Sequence, residues 1–222
     1  MKKNLVILIS GRGSNMQAIV QACAQQAWNA HIAAVVSNRP QAGGLDYARQ
    51  QGVPTAVVDH TTFASRDAFD QALADEVLRH APDLVVLAGF MRILTPAFVQ
   101  RFEGRLLNVH PSLLPAFPGL HTHARALEAG CQVAGATVHY VTAELDHGPI
   151  VAQAVVPVLA HDTPDTLARR VLEQEHRMVP QAVRWAVEGS LRIEDGRVHH
   201  AHAESRCWNG LNVSRAPKPA AH

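Results

Sequence analysis

The 222-residue chain has only three cysteines, Cys23, Cys131 and Cys207. Their odd number and wide spacing exclude a disulfide framework and the common cysteine metal sites, and point to a reducing cytoplasm. A charge excess of either sign is also missing: 20 Lys plus Arg face 19 Asp plus Glu, for a formal net charge of +1. Without a basic field, nucleic acid and membrane surfaces are not the expected partners, and a small molecule is. Long apolar runs are lacking too. Met1-Lys2-Lys3 precedes only the short run Leu5–Ile9, far below the ~20 residues that span a bilayer and unlike an export signal. No internal repeat or clear linker interrupts the chain, so a single body over residues 1–198 is expected. Residues 199–222, His-, Ala- and Pro-containing without periodicity, are expected to form a loose tail.

Short apolar runs then alternate with helical patterns: Leu5–Ile9, Ile32–Val36, Ala56–Val58, Leu84–Leu87 and Leu106–Leu107. Such alternation predicts an α/β fold, a Rossmann-like, mostly parallel sheet with helices on both faces. Met16, Ile19, Val20 and Cys23 follow the helical period, as do Phe69, Leu73 and Val77. Residues 134–141 and 150–158 read as two strands joined by the Glu144–Pro149 segment. Thr163-Pro164 opens a last long helix that Gly189 ends, and Asp195-Gly196 centres a small hairpin.

Ser10-Gly-Arg-Gly-Ser-Asn15 lies between the first strand and the first helix, where free N–H groups and the helix dipole favour an anion. Met16 stands where a dinucleotide fingerprint needs a third glycine, and Ser37-Asn38-Arg39 where it needs an acid. No lysine follows the glycines as in a Walker loop. A phosphomonoester held by Gly13, Ser14 and Asn15 is the better ligand; the alternative is a plain tight turn with Ser14 or Asn15 as the helix cap.

In Asn108-Val-His110 the strand period of two puts both polar side chains on one face, with α-carbons ~6.6 to 6.8 Å apart. Pro111 keeps His110 extended at the strand end, where α/β sheets place ligands. An Asn amide and a His cation suit donation to an oxyanion during acyl transfer. Asp146 is the candidate carboxylate to stabilise that cation. The bland alternative makes Asn108 and His110 hydrogen-bonded structural residues and Asp146 a turn former. No Gly-x-Ser-x-Gly elbow supports a serine hydrolase. His121-Thr-His123 and His199-His-Ala-His202 lack a convincing third ligand for zinc.

Four stretches in order carry a resemblance: Ser10–Ile19, Asn108–Pro115, Pro118–His123 and Thr137–Pro149. Together they resemble the phosphoribosylglycinamide formyltransferase (GAR transformylase) family, over nearly the whole chain to about Gly196. The resemblance implies the formyltransferase fold and transfer of a formyl group from 10-formyltetrahydrofolate, a co-substrate, to the amine of glycinamide ribonucleotide in purine biosynthesis. It implies no metal and no covalent intermediate, in a cytoplasmic monomer or homodimer. Residues 1–105 would form the phosphate-binding half and 106–198 the folate and catalytic half. Asn108, His110 and Asp146 match the family's catalytic trio. Gly13, Ser14 and Asn15 match its phosphate contacts, and Glu175 its contact to the substrate amine.

Glu175 also falls on the apolar stripe of the last helix, where a carboxylate needs a partner, either that amine or an arginine. Arg66, Met91, Arg92, Ile93, Leu94, Asn108 and Val141 are the implied folate contacts, with Arg66 equally suited to the substrate phosphate. Read without the resemblance, Met91 and Ile93 are ordinary core. His147 and Ala143 depart from the family pattern, which bears on loop mobility. Methionyl-tRNA formyltransferase and formyltetrahydrofolate deformylase share the trio, but each adds a domain for which this chain has no room. A folate or phosphate-binding module without chemistry should lack a member of the trio, and all three are present.

Overall fold

The computed structural model describes residues 2–211. One eight-stranded sheet has the order β10-β7-β6-β5-β4-β1-β2-β3. In chain order its members are β1 (Lys3–Ile9), β2 (Ala30–Ser37), β3 (Thr55–Val57), β4 (Leu84–Leu87), β5 (Leu106–His110), β6 (Val133–Tyr140), β7 (Ile150–Pro157) and β10 (Cys207–Asn209), with β8 (Leu191–Glu194) and β9 (Arg197–His200) forming a separate hairpin. Strands β1 to β5 pair in parallel, β6 runs antiparallel to both β5 and β7, and β10 pairs in parallel with β7.

The alternation within β1 explains the layering. Leu5, Ile7 and Ile9 face one core with Met16 and Ile19 of α1 (Ser14–Gln25) and Leu167, Val171 and Met178 of α6 (Pro164–Val187). Val6 and Leu8 face the other, against Phe69, Leu73 and Val77 of α3 (Arg66–Arg79) and Phe98 of α4 (Pro96–Arg101). Both faces of a parallel strand are thus buried, each large apolar side chain contributing roughly 1.5–3 kcal/mol. Helices α2 (Gly44–Gln50) and α5 (Thr122–Glu128) complete the set.

From β1 the chain moves outward through β2 and β3, then returns to β4 on β1's other side. The strand order reverses between β1 and β4, which opens a crevice at their carboxyl ends. The β4–β5 pairing carries the sheet straight across residue 105.

The segment after His199 differs from a loose tail as far as residue 211. His200 packs edge-on against Trp185 at 4.8 Å and Trp208 lies 5.5 Å from the same ring. Arg206 donates to the carbonyls of Ile150 and Val151, at 3.0 and 2.8 Å, and β10 then covers the edge of β7. Two tryptophans and a backbone-seeking arginine supply burial and hydrogen bonds that periodicity does not reveal. The remainder of the expected tail, residues 212–222, lies outside the described residues.

Candidate active site

Gly13 adopts the left-handed conformation (φ 66°) and itself caps α1, with no side chain closing the cap and no acid in the first turn. A Cβ at Gly13 would stand 3.1 Å from the Met16 side chain, so glycine suits both the φ and the space. The cap is therefore neither Ser14 nor Asn15. The positive end of α1 is left uncompensated, the condition for anion binding. Ser14 lines a groove of about 380 Å³ between α1 and α6 with His176 and Arg177. Asn15 turns the other way. Its Nδ2 donates to Glu175 Oε2 at 2.7 Å, while its Oδ1 is buried without a partner.

The partner of Glu175 is thus an amide and not an arginine. Burial pushes the Glu175 carboxyl above the ordinary carboxylate range, and the Asn15 hydrogen bond opposes this more weakly. Both residues line one cleft of about 710 Å³ at the carboxyl ends of β4 and β5.

On that cleft the structure brings the trio together. His110 Nδ1 lies 3.4 Å from Asp146 Oδ2, and both side chains are almost wholly buried. His110 Nε2 lies 3.0 Å from the Phe117 carbonyl. An acceptor oxygen thus stands at each ring nitrogen. Asp146 has a left-handed backbone (φ 54°), tolerated by aspartate, and its Oδ2 also accepts the Gly119 N–H at 2.9 Å. This ties the loop after β5 to the loop before β7. A Cβ on nearby Gly148 would collide with the Tyr140 carbonyl, so the aspartate loop depends on that glycine.

Sequence reasoning missed His139. It stands opposite Asn108 in the β5–β6 register, and Asn108 Nδ2 lies 3.2 Å from its Nε2. Its Nδ1 is 2.9 Å from the Tyr140 carbonyl, and its Nε2 is 3.8 Å from Asp146 Oδ1. Burial disfavours the His139 cation, outweighing the Tyr140 carbonyl and Asp146, which favour it, while His110 adds to the disfavour. The neutral ring then donates from Nδ1 and accepts from Asn108 at Nε2. The available signal was the strand period in Thr137-Val138-His139, which aims His139 along the face of Thr137; only the register reveals its neighbour.

The opposite wall is apolar. Met91 is 60% exposed and Ile93 54%, so neither is core; with Leu94, Val141, Leu120 and Leu145 they line the cleft. Arg92 lies over the Phe69 ring at 4.9 Å, with its Nε buried and unpartnered. Arg66, the first residue of α3, also lines the cleft. A cation there opposes the helix dipole, so helix stability does not account for it. His121 and His123 border the same space, and His123 Nε2 has no partner. Among the described residues no three His, Cys, Asp or Glu gather as metal ligands would. Every expected site residue except Gly13 and Ser14 meets on this cleft, and Asn15 links it to their turn.

Comparison with known proteins places the chain in a family. The family model described as formyl transferase matches residues 3–183. Phosphoribosylglycinamide formyltransferase of Escherichia coli (strain K12) is 51% identical over 192 residues, 86% of this chain and 91% of that protein. The bovine (Bos taurus) trifunctional purine biosynthetic protein adenosine-3 is 44% identical over 209 residues, 93% of this chain but 20% of that protein. The crystal structure of glycinamide ribonucleotide transformylase 1 from Symbiobacterium toebii superposes with a TM-score of 0.87 at 48% identity, covering 90% of this chain and 94% of that one. The chain belongs to the formyl transferase family.

Proposed function

We propose that the protein transfers the formyl group of 10-formyltetrahydrofolate to the amine of glycinamide ribonucleotide, giving formylglycinamide ribonucleotide and tetrahydrofolate in purine biosynthesis. The observation that carries this is one cleft with three kinds of wall. The buried His110–Asp146 pair and Asn108 stand between an apolar wall at Met91–Leu94 and the Asn15–Glu175 pair beside a helix start that no side chain caps.

The residues divide the work accordingly. Backbone N–H groups at Gly13–Asn15 and the Ser14 hydroxyl hold the ribonucleotide phosphate. Glu175 accepts hydrogen bonds from the glycinamide amine and aims it into the cleft. Met91, Ile93, Leu94 and Val141 pack against the flat folate ring, and Arg66 and Arg92 supply positive charge for its carboxylates. This lining, an apolar wall facing charged and polar side chains, fits such a ligand.

The amine nitrogen attacks the formyl carbon, and its new C–N bond leaves the formyl oxygen negative. Asn108 Nδ2 donates to that oxyanion, and His110 Nε2 donates to it in place of the Phe117 carbonyl. The C–N10 bond then breaks. The proton lost by the amine reaches N10 through His110, with Asp146 balancing the charge on the ring and water completing the path. No bond to the enzyme forms. The three free cysteines suit a reducing cytoplasm.

Purified protein mixed with a 10-formyl folate analogue, with and without glycinamide ribonucleotide, tests the assignment by absorbance of the deformylated product. Ribonucleotide-dependent turnover is expected. Turnover that ignores the ribonucleotide would make the enzyme a hydrolase.

A further inference from the structure

The segment that presents Met91 and Ile93 is held from both ends by buried side chains to which the reaction assigns nothing. Ser10, the residue after β1, is 5% exposed. Its N–H donates to the Gly89 carbonyl at 3.2 Å. Its hydroxyl accepts the Met91 N–H at 2.7 Å and donates to Asn38 Oδ1 at 2.6 Å. Asn38 is buried in turn, its carbonyl 2.7 Å from His60 Nδ1. A hydroxyl used as acceptor and donor at once has a single orientation, so the Met91 amide is fixed by a chain of buried groups.

At the far end, Thr95 N–H donates to Asp70 Oδ2 at 2.6 Å, and the Thr95 hydroxyl caps α4. Asp70, on α3, is 2% exposed and leaves its Oδ1 unpartnered. A carboxylate so placed costs stability unless its hydrogen bonds compensate. Stability alone therefore gives little reason for an acid here. Between these posts Met91 and Ile93 project into solvent, and only Arg92, over Phe69, and Leu94, against the core, pack, so the two hydrogen-bonded posts fix the backbone at the segment's ends.

We infer that Ser10 and Asp70 are positioning residues for the folate subsite. They hold residues 91–95 at the height where backbone groups and the Met91 and Ile93 side chains meet the folate ring, since misplacement by about 1 Å is enough to lose binding or rate. The inference rests on the assignment of Met91–Leu94 to folate. Ser10 also leads directly into Gly11–Gly13, so one buried hydroxyl braces the folate wall from the same strand end that carries the phosphate turn.

The test compares Ser10→Ala and Asp70→Ala, which delete the acceptor, with Ser10→Thr and Asp70→Asn, which keep one. Affinity for an unreactive 10-formyl folate analogue is measured by calorimetry, and KM for glycinamide ribonucleotide by turnover. Each alanine variant should weaken the analogue about tenfold, about 1.4 kcal/mol, and raise the ribonucleotide KM much less. The Thr and Asn variants should recover most of the loss. Amide exchange at Met91 in Ser10→Ala, and at Thr95 in Asp70→Ala, should speed up while β5 stays protected.

Analogue binding unchanged in the alanine variants, or weakened equally with the ribonucleotide, would overturn the inference. Should an alanine variant not fold, exchange in the wild-type protein decides. The analogue must slow exchange at Met91 and Thr95 more than at Ser14 and Asn15, and the reverse order would overturn it. Failure of the wild-type protein to bind the analogue would instead sink the folate assignment itself.

Discussion

Asn108 and His139 face each other across β5 and β6, and the Asn108 amide donates to the unprotonated Nε2 of His139 at 3.2 Å. One amide hydrogen is thereby committed to a buried, neutral ring and the other is left for the cleft. His139→Ala should cut kcat by about tenfold, less than the roughly 10²–10³ of deleting the oxyanion donor itself in Asn108→Ala. Steady-state rates check this, and a His139→Ala rate equal to wild type would mean that the amide needs no such support.

The same pair carries a pH consequence. Because burial lowers the His139 pKa in the folded state, the unfolded chain binds more protons below about pH 6.5. His139 therefore subtracts stability progressively as pH falls through its unfolded value. His139→Gln should flatten the loss of melting temperature between about pH 6.5 and 5 relative to wild type, and parallel melting curves would contradict this.

Asp146 is joined to His110 at 3.4 Å and to the Gly119 amide at 2.9 Å. Asp146→Asn keeps an acceptor for Gly119 but removes the charge beside the imidazole. Turnover should fall by about 10² to 10⁴, with affinity for a folate analogue little changed. An unaltered rate and pH–rate profile would remove Asp146 from the mechanism.

Glu175 is a buried carboxyl with a raised pKa, so the folded state holds its proton more tightly than the unfolded chain. Its stabilising contribution is complete below the unfolded value, about 4.3, and is lost as pH rises through the folded one. Glu175→Gln keeps the Asn15 hydrogen bond and removes this loss. The variant should melt higher at pH 8, by about 2–4 °C per kcal/mol recovered, with the difference shrinking as pH falls. It should also raise KM for the ribonucleotide. A lower melting temperature at pH 8 would show that the carboxylate is better satisfied than its surroundings indicate.

Away from the cleft, Asp162 accepts two hydrogen bonds from Arg170, at 2.6 and 2.8 Å, and others from Leu159 and Thr166. The Arg170 guanidinium, first, and these further donors hold the Asp162 carboxyl far below the usual range. Here the sign is opposite to that of Glu175: the stability is present above about pH 4 and is lost as pH falls through the depressed folded value. Arg170→Ala removes the charged donor and leaves the carboxylate only its Leu159 and Thr166 donors, which should cost about 1.5 kcal/mol at neutral pH, measured by urea unfolding. A cost below about 0.5 kcal/mol, the value of an exposed pair, would contradict it.

Local pattern made much of this legible. The continuous apolar run of β1, the capped start of α6 at Thr163 and the same-face pairing of Asn108 with His110 all depend on neighbours in sequence. What escaped depends on distance. Asn15 meets Glu175 across 160 positions, and His139 meets Asn108 only through strand register. Met91 and Ile93 read as core because an apolar residue lining a ligand cleft has the same composition as one that is buried. Strand β10 has three residues and pairs with an edge formed some fifty positions earlier, which leaves no periodic trace. Gly13, not Ser14, caps α1 because the turn takes a left-handed residue, a choice between neighbours that composition does not make.

The fate of the formyl carbon tests the central claim most directly. A ¹³C-formyl folate incubated with the protein and glycinamide ribonucleotide, followed by carbon NMR, should move its label into a formamide on the ribonucleotide at the rate the folate is deformylated. Label appearing as free formate at that rate would contradict direct transfer and make water the acceptor.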